Sequence, residues 1–89
     1  MTINASHILV KSLTEAEDLI SQLESGATFE ALALQHSQCP SGQNGGNLGT
    51  FSKGMMVKPF EDAAYSLDVG QLSAPVQTQF GYHLINRNA

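Results

Sequence analysis

Ile3 to Val10 is a run rich in β-branched residues in which His7 and Leu9 alternate with Ile8 and Val10. Alternation sends the two sets to opposite faces of a strand, and the mostly apolar character of both predicts a strand covered on both sides. The period then changes. Leu13, Ala16, Leu19, Ile20 and Leu23 recur at the spacing of one helix face, with Ser12 and Glu15 as a candidate capping box at its start and Gly26 as its stop. Thr28 is suited to cap a second, shorter helix whose apolar face is Phe29, Leu32 and Ala33 and which ends near His36 or Ser37. A protonated His36 there would suit the negative end of the helix dipole.

The next segment, SQCPSGQNGGN from Ser37 to Asn47, is dense in Ser, Gly, Asn and Pro and predicts an irregular loop within one domain, because the flanking elements are too short to fold alone. Gly46, Gly49 and Gly54 then bracket Leu48 to Phe51 as a short extended segment. Pro59 fits the first turn of a third helix, where a missing N–H is not felt, and Phe60, Ala63, Ala64 and Leu67 give that helix one apolar face. Met55, Met56 and Val57 sit on the loop entering it. Around Asp68, Gly70 and Ser73 the chain turns into Ala74 to Thr78, where Pro75 points to an edge strand. Gln79-Phe80-Gly81 predicts a tight reversal into a last strand, Tyr82 to Arg87, in which Tyr82 and Leu84 alternate with His83 and Ile85. The order of strand, two helices, strand, helix and hairpin predicts an α+β domain built on one mostly antiparallel sheet with helices around it.

Composition narrows the functional classes. Eighty-nine residues, 42% of them hydrophobic, suit a single domain that buries only roughly 60–65% of its unfolded surface. Eight acidic against four basic residues leave a net charge of −4, and Lys11, Lys53, Lys58 and Arg87 are scattered, so the clustered cations of a nucleic-acid interface are not expected. No apolar run approaches the ~20 residues of a membrane span and no secretory leader is visible, which leads to the expectation of a cytoplasmic chain without a membrane partner. Cys39 is the only cysteine; an intramolecular disulfide is impossible and a reducing compartment is the natural home.

Candidate chemistry centres on His7, His83 and Cys39, together with the apolar run Met55 to Phe60. Taken alone, Met56 and Phe60 read first as ordinary core and second as the floor of a small apolar pocket, to which thioether and aromatic side chains are suited. The histidines and the cysteine are compatible with a Cys–His nucleophile, a metal site or a hydrogen-bonded polar core. Nothing in the spacing, which contains no CxxC or HxxxH, supplies the further ligands of a tetrahedral zinc site, and a lone cysteine with scattered histidines is a weak hydrolase signal. No metal or cofactor is expected.

Three segments taken together are more specific: His7-Ile8-Leu9-Val10, the stretch GNLGTFSKGMMVKPF from Gly46 to Phe60, and Phe80-Gly81-Tyr82-His83-Leu84-Ile85. In this order and at these spacings they resemble the signature of the parvulin family of peptidyl-prolyl cis/trans isomerases, over about Ala5 to Arg87. The resemblance implies one domain across residues 1–89, with a four-stranded, mostly antiparallel sheet surrounded by three to four helices, a parvulin/FKBP-like fold. It implies that His7 and His83 face each other beneath the site, that Thr78 bonds to the pair, and that Cys39 opens the site loop as either a nucleophile or an electrostatic group. Met56 and Phe60 would hold the substrate proline ring, with Leu48 beside them and Phe51 at the rim; Gln79 and Phe80 receive no catalytic duty. Implied substrates are proline-containing unfolded or flexible polypeptides, met by a monomer. Phosphate-directed members carry a long basic loop after the first strand, whereas Lys11-Ser12-Leu13 runs straight into the helix, so an apolar residue before proline is expected in place of a phosphorylated one. The alternative within the same fold is a peptide-holding chaperone module with little catalysis.

Overall fold

The computed structural model describes residues 2–89. Strand β1 (Thr2–Val10) leads to helices α1 (Leu13–Glu24) and α2 (Phe29–His36), strand β2 (Asn47–Ser52), helix α3 (Lys58–Ser66) and the hairpin β3 (Val76–Thr78) and β4 (Gly81–Arg87). The four strands form one antiparallel sheet in the order β2-β1-β4-β3, so the first and last strands lie at its centre. The α+β architecture expected from the periodicity is the one observed.

Alternation on β1 and β4 divides the core in two. Ile3, Ala5 and Ile85 face one way and pack with Phe51, Phe60, Ala64 and Leu67, placing α3 on that side. Ile8, Val10 and Leu84 face the other way and pack with Ala16, Leu19, Leu32 and Ala33 from α1 and α2. Both helix starts are capped as the sequence predicts: Glu15 N–H donates to Ser12 Oγ and Ala31 N–H to Thr28 Oγ1. The box on α1 is only half made, because the Glu15 carboxylate accepts from the Ser12 hydroxyl. Leu13, assigned to the apolar face of α1, is exposed; it is the first residue of the helix.

The Ser/Gly/Asn-rich loop is more ordered than its composition predicts. Pro40–Asn44 forms a 3-10 helix with Pro40 in its first turn, and Gly45 ends it in the left-handed region at φ 68°. This segment takes over where β2 stops. β2 pairs with β1 only from Thr2 to Ser6, with an irregularity between Asn4 and Ser6. Beyond that point His7 N–H donates to Gly46 O (2.9 Å), Leu9 N–H to Ser37 Oγ (3.1 Å), and Gln38 N–H to Leu9 O (2.7 Å). The loop completes the ladder that a strand would otherwise have made.

Gly46 shows how close this docking is. It is buried at φ 86°, and a Cβ on it would run into the His7 carbonyl oxygen and crowd Ala33 Cβ. Gly49, at φ 76°, has open space around it. Gly46→Ala is therefore expected to cost about 3–5 kcal/mol, strain and overlap together, and Gly49→Ala only about 1–2 kcal/mol for the backbone conformation. Urea unfolding of the two variants checks this; equal losses would show that the loop does not dock through Gly46.

Candidate active site

The β1–β4 register pairs Leu9 with His83 and His7 with Ile85, which makes the two histidines diagonal neighbours on the α3 face. Their rings stack, with centroids 5.1 Å apart and planes 17° from parallel, and Nδ1 of each lies 2.9 Å from the other. Phe60, projecting from the first turn of α3, meets both rings nearly at right angles, at 5.4 Å from His7 and 5.2 Å from His83. Burial follows from this packing: His7 is 5% and His83 4% exposed.

The outer ring nitrogens are engaged too. His7 Nε2 lies 3.2 Å from Ser41 Oγ and His83 Nε2 lies 2.7 Å from Thr78 Oγ1, which also accepts the Phe80 N–H at 3.1 Å. All four ring nitrogens thus have partners, and among the described residues no buried side-chain nitrogen or oxygen lacks one. An Nδ1–Nδ1 contact needs a proton on one side and a lone pair on the other. Because Thr78 Oγ1 already accepts from Phe80, the economical arrangement has its hydroxyl donating to His83 Nε2. Then His83 Nδ1–H donates to His7 Nδ1, and His7 Nε2–H donates to Ser41 Oγ. Both rings are neutral in this chain.

Electrostatics agrees with neutrality. Burial lowers the pKa of His7 from 6.5 to about 4, the neighbouring His83 adding repulsion, and burial lowers that of His83 as well. Above about pH 6.5 folded and unfolded chains bind the same protons. Below it the unfolded chain takes up protons that the folded histidines refuse, and stability falls as the pH drops toward 4.

In front of the pair lies a cavity of roughly 500 Å³. His7, His83, Cys39, Leu48, Met56 and Phe60 all border it, which brings together six of the eight residues singled out in the sequence. Thr78 does not border the cavity and meets it only through its contact with His83 Nε2. Phe51 is a correction: it is 2% exposed, pairs across the sheet with Ile3, and lies beneath Phe60 at 6.2 Å, in the core and not at the rim. The resemblance places Phe51 at the rim, but α3 covers this part of the sheet. Sequence reasoning missed Ser41, Leu9, Gln38, Pro40 and Phe80. Ser41 was one hydroxyl among several in a polar loop, and Phe80 was passed over although it borders the cavity. Among the described residues no three His, Cys, Asp or Glu side chains converge on a metal-sized site.

Comparison with known proteins comes to the same place. The family described as "Rotamase: PPIC-type PPIASE domain" matches residues 7–89. The foldase protein PrsA of a Geobacillus strain is 57% identical over 84 residues, covering 93% of this chain and 30% of PrsA. The crystal structure of peptidylprolyl isomerase PrsA from Bacillus anthracis superimposes with a TM-score of 0.96 at 48% identity, over 99% of this chain and 41% of that one. NmPin, the parvulin of Nitrosopumilus maritimus, matches with a TM-score of 0.90 at 49% identity, over 99% and 96% of the two chains. The chain thus spans about a third of the length of the PrsA relatives and nearly the whole of the small archaeal one.

Two outcomes follow from the hydrogen-bond chain and its neutrality. Urea midpoints are expected to fall steadily between pH 7 and pH 4.5, the full effect for His7 being on the order of 3 kcal/mol; a flat profile would mean that the pair accepts a proton when folded. In imidazole ¹H–¹⁵N spectra, Ser41→Ala is expected to move the tautomer balance of His7 toward Nδ1–H, since Nε2–H loses its acceptor, and Ser41→Thr to restore it. An unchanged balance would remove Ser41 from the chain of bonds.

Proposed function

We infer the reaction from a plain premise: the chain belongs to the PPIC-type PPIase family, the parvulins, and is a peptidyl-prolyl cis/trans isomerase domain of the kind that assists protein folding. The observation that carries the residue assignments is the apolar cavity of Leu48, Met56 and Phe60 set directly against a neutral histidine pair.

Turning an X–Pro bond crosses a barrier of ~18–20 kcal/mol and takes tens to hundreds of seconds unaided. A 10⁴-fold acceleration requires about 5 kcal/mol of selective stabilisation, at ~1.4 kcal/mol per factor of ten. No covalent bond breaks. At the top of the barrier the amide has lost its resonance, so its carbonyl is less polar and its nitrogen more basic. A dry apolar wall favours that state over the planar one, and we assign Leu48, Met56 and Phe60 to hold the proline ring there. His7, His83 and Thr78 keep the wall behind the ring polarised without placing a charge in it. Cys39 contributes shape and polarity, not covalent attack. This reading is supported by the engagement of His7 Nε2 with Ser41 and of His83 Nε2 with Thr78, which leaves neither ring to take up the thiol proton.

Substrates are proline-containing flexible or unfolded polypeptides. None of the cavity-lining residues is Lys or Arg, which supports a site indifferent to phosphate on the residue before proline. We take the domain to act as a monomer with Cys39 a free thiol in a reducing, cytoplasmic setting; the activity and partners of any longer protein resembling PrsA are proposals of the same standing.

Exchange NMR on a Leu-Pro peptide tests the assignment. Faster cis/trans exchange with the protein, reduced at least tenfold by Phe60→Ala and largely kept by Cys39→Asp, is expected. Loss of activity in Cys39→Asp would restore a covalent role, and binding without faster exchange would make this chain a peptide-holding module. A phosphoserine-Pro peptide is expected to turn over no faster than Leu-Pro; the reverse order would overturn the indifference to phosphate.

A further inference from the structure

The Ser/Gly/Asn-rich segment holds the one Asn-Gly pair of the chain, Asn44-Gly45; the other asparagines, Asn4, Asn47, Asn86 and Asn88, precede Ala5, Leu48, Arg87 and Ala89. Chemistry and structure single out the same residue. A glycine nitrogen has no side chain beside it to hinder attack on the preceding side-chain amide, and its backbone turns most freely into the geometry that attack needs. Asn44 is exposed, and its side chain makes no hydrogen bond to the described residues. The others are engaged: Asn4 Oδ1 accepts from Asn88 Nδ2 at 2.8 Å, Asn86 Nδ2 donates to Asn88 Oδ1 at 3.2 Å, and Asn47 Oδ1 accepts from Gly49 N–H at 2.7 Å.

Position matters as much as reactivity. Asn44 is the last residue of the 3-10 helix that carries Ser41, and Gly46, two residues on, is docked on β1. Gly45 N–H donates to Gly42 O at 3.1 Å, Gly46 N–H to Ser41 O at 2.9 Å, and His7 N–H to Gly46 O at 2.9 Å. Ser41 Oγ in turn lies 3.2 Å from His7 Nε2. The span from Ser41 to Gly46 is thus tied at both ends to His7, once to its ring and once to its backbone. At Gly46 it has no room for one more carbon.

We propose that Asn44 is a site of spontaneous deamidation, and that its isoaspartyl product releases the Pro40–Gly46 segment from His7 and so limits the working life of the active site. The effect on activity rests on the isomerase reading; the modification itself does not. The Gly45 nitrogen gives its proton to hydroxide and attacks Asn44 Cγ. A C–N bond forms, the Cγ–Nδ2 bond breaks, and the departing nitrogen takes a proton from water and leaves as ammonia, which regenerates the hydroxide. Water then opens the five-membered succinimide at either carbonyl, so that one water is consumed and one ammonia released overall. Opening at Cγ gives aspartate on an unchanged main chain. Opening at the main-chain carbonyl gives isoaspartate, whose backbone runs through Cβ and Cγ and is longer by one C–C bond, about 1.5 Å. Both products add one carboxylate, and only the second lengthens the span between the two ties to His7. In the docked loop the Gly45 N–H is occupied by Gly42 O, so ring closure proceeds from the opened segment and its rate counts loop openings.

The test incubates the full chain at mildly alkaline pH, folded and in urea, beside Asn44→Gln and Asn44→Asp. Mass spectrometry of proteolytic peptides locates the modified residue, and enzymatic isoaspartyl methylation measures the branched product. Expected is isoaspartate at Asn44 ahead of Asn4, Asn47, Asn86 and Asn88, forming at least about tenfold more slowly in the folded chain than in urea. The separated isoaspartyl form is expected to lose at least about tenfold in kcat/KM on a Leu-Pro peptide, a cost in keeping with a misplacement of about 1 Å. Asn44→Asp, with the charge but not the added carbon, and Asn44→Gln are expected to stay near the wild type. In imidazole ¹H–¹⁵N spectra the isoaspartyl form is expected to shift the His7 signals and Asn44→Asp to leave them in place. Modification of another asparagine ahead of Asn44 would overturn the site. An isoaspartyl form with wild-type His7 signals would overturn the release of the segment, and an Asn44→Asp variant as impaired as that form would assign the loss to charge and overturn the role of chain length. If the fresh wild type accelerates no peptide, the isomerase reading falls, and the His7 signals alone decide whether the segment is released.

Discussion

A hydrogen bond between two Nδ1 atoms, 2.9 Å apart, imposes a condition on the whole site: His7 and His83 must share one proton between the two facing nitrogens. Two protons there would set two N–H donors against each other, and none would leave two lone pairs opposed. The surroundings are arranged to keep that condition. Phe60 closes over both rings and excludes water, Thr78 and Ser41 occupy the outer nitrogens, and no carboxylate borders the cavity to draw a second proton in. The partners of this bond are 76 residues apart in the chain. They meet only because the first and last strands are neighbours at the centre of the sheet, so the site cannot assemble before nearly all of the chain is in place.

The same sheet divides labour between its faces. The α1–α2 side is closed by Ile8, Val10, Leu84, Leu19 and Leu32 and carries no part of the site. The α3 side changes character along its length, from a core of Ile3, Phe51, Ala64 and Ile85 to the histidine pair, with Phe60 belonging to both. A small domain has little apolar surface to spare, and using one ring as core, as cover for the pair and as cavity wall meets that constraint.

Much of this was legible in the chain because strand alternation is a strict rule. It placed His7 with Leu9, and His83 with Ile85, before any pairing was known; the resemblance of three motifs to parvulins then set the two histidines face to face. Caps at Ser12 and Thr28, Pro59 in the first turn of α3 and the edge position of the Pro75 strand came from equally local rules. What failed was tertiary. Phe51 lies under a helix and not at the rim, and periodicity carries no information about which stretch of a sheet face is covered. Ser41 could not be told from Ser37 in a loop whose composition signals only irregularity, although Pro40 at its start was a sign of the short helix that orients it. Phe80 receives no catalytic duty from the resemblance, yet a turn residue is where a side chain can be presented to a ligand without disturbing the ladder.

The early end of β2 has a dynamic meaning. Because Ser37, Gln38 and Gly46 stand in for a strand along His7 to Leu9, the segment carrying Cys39, Pro40 and Ser41 is attached to the sheet without belonging to it. It forms one wall of the cavity and can detach by giving up those few bonds and the packing of Gly42 and Gly46 against Ala33, while the β1–β4 ladder stays closed. The protein thus has a seam, and amide exchange in residues 37–46 should run ahead of that in the central strands.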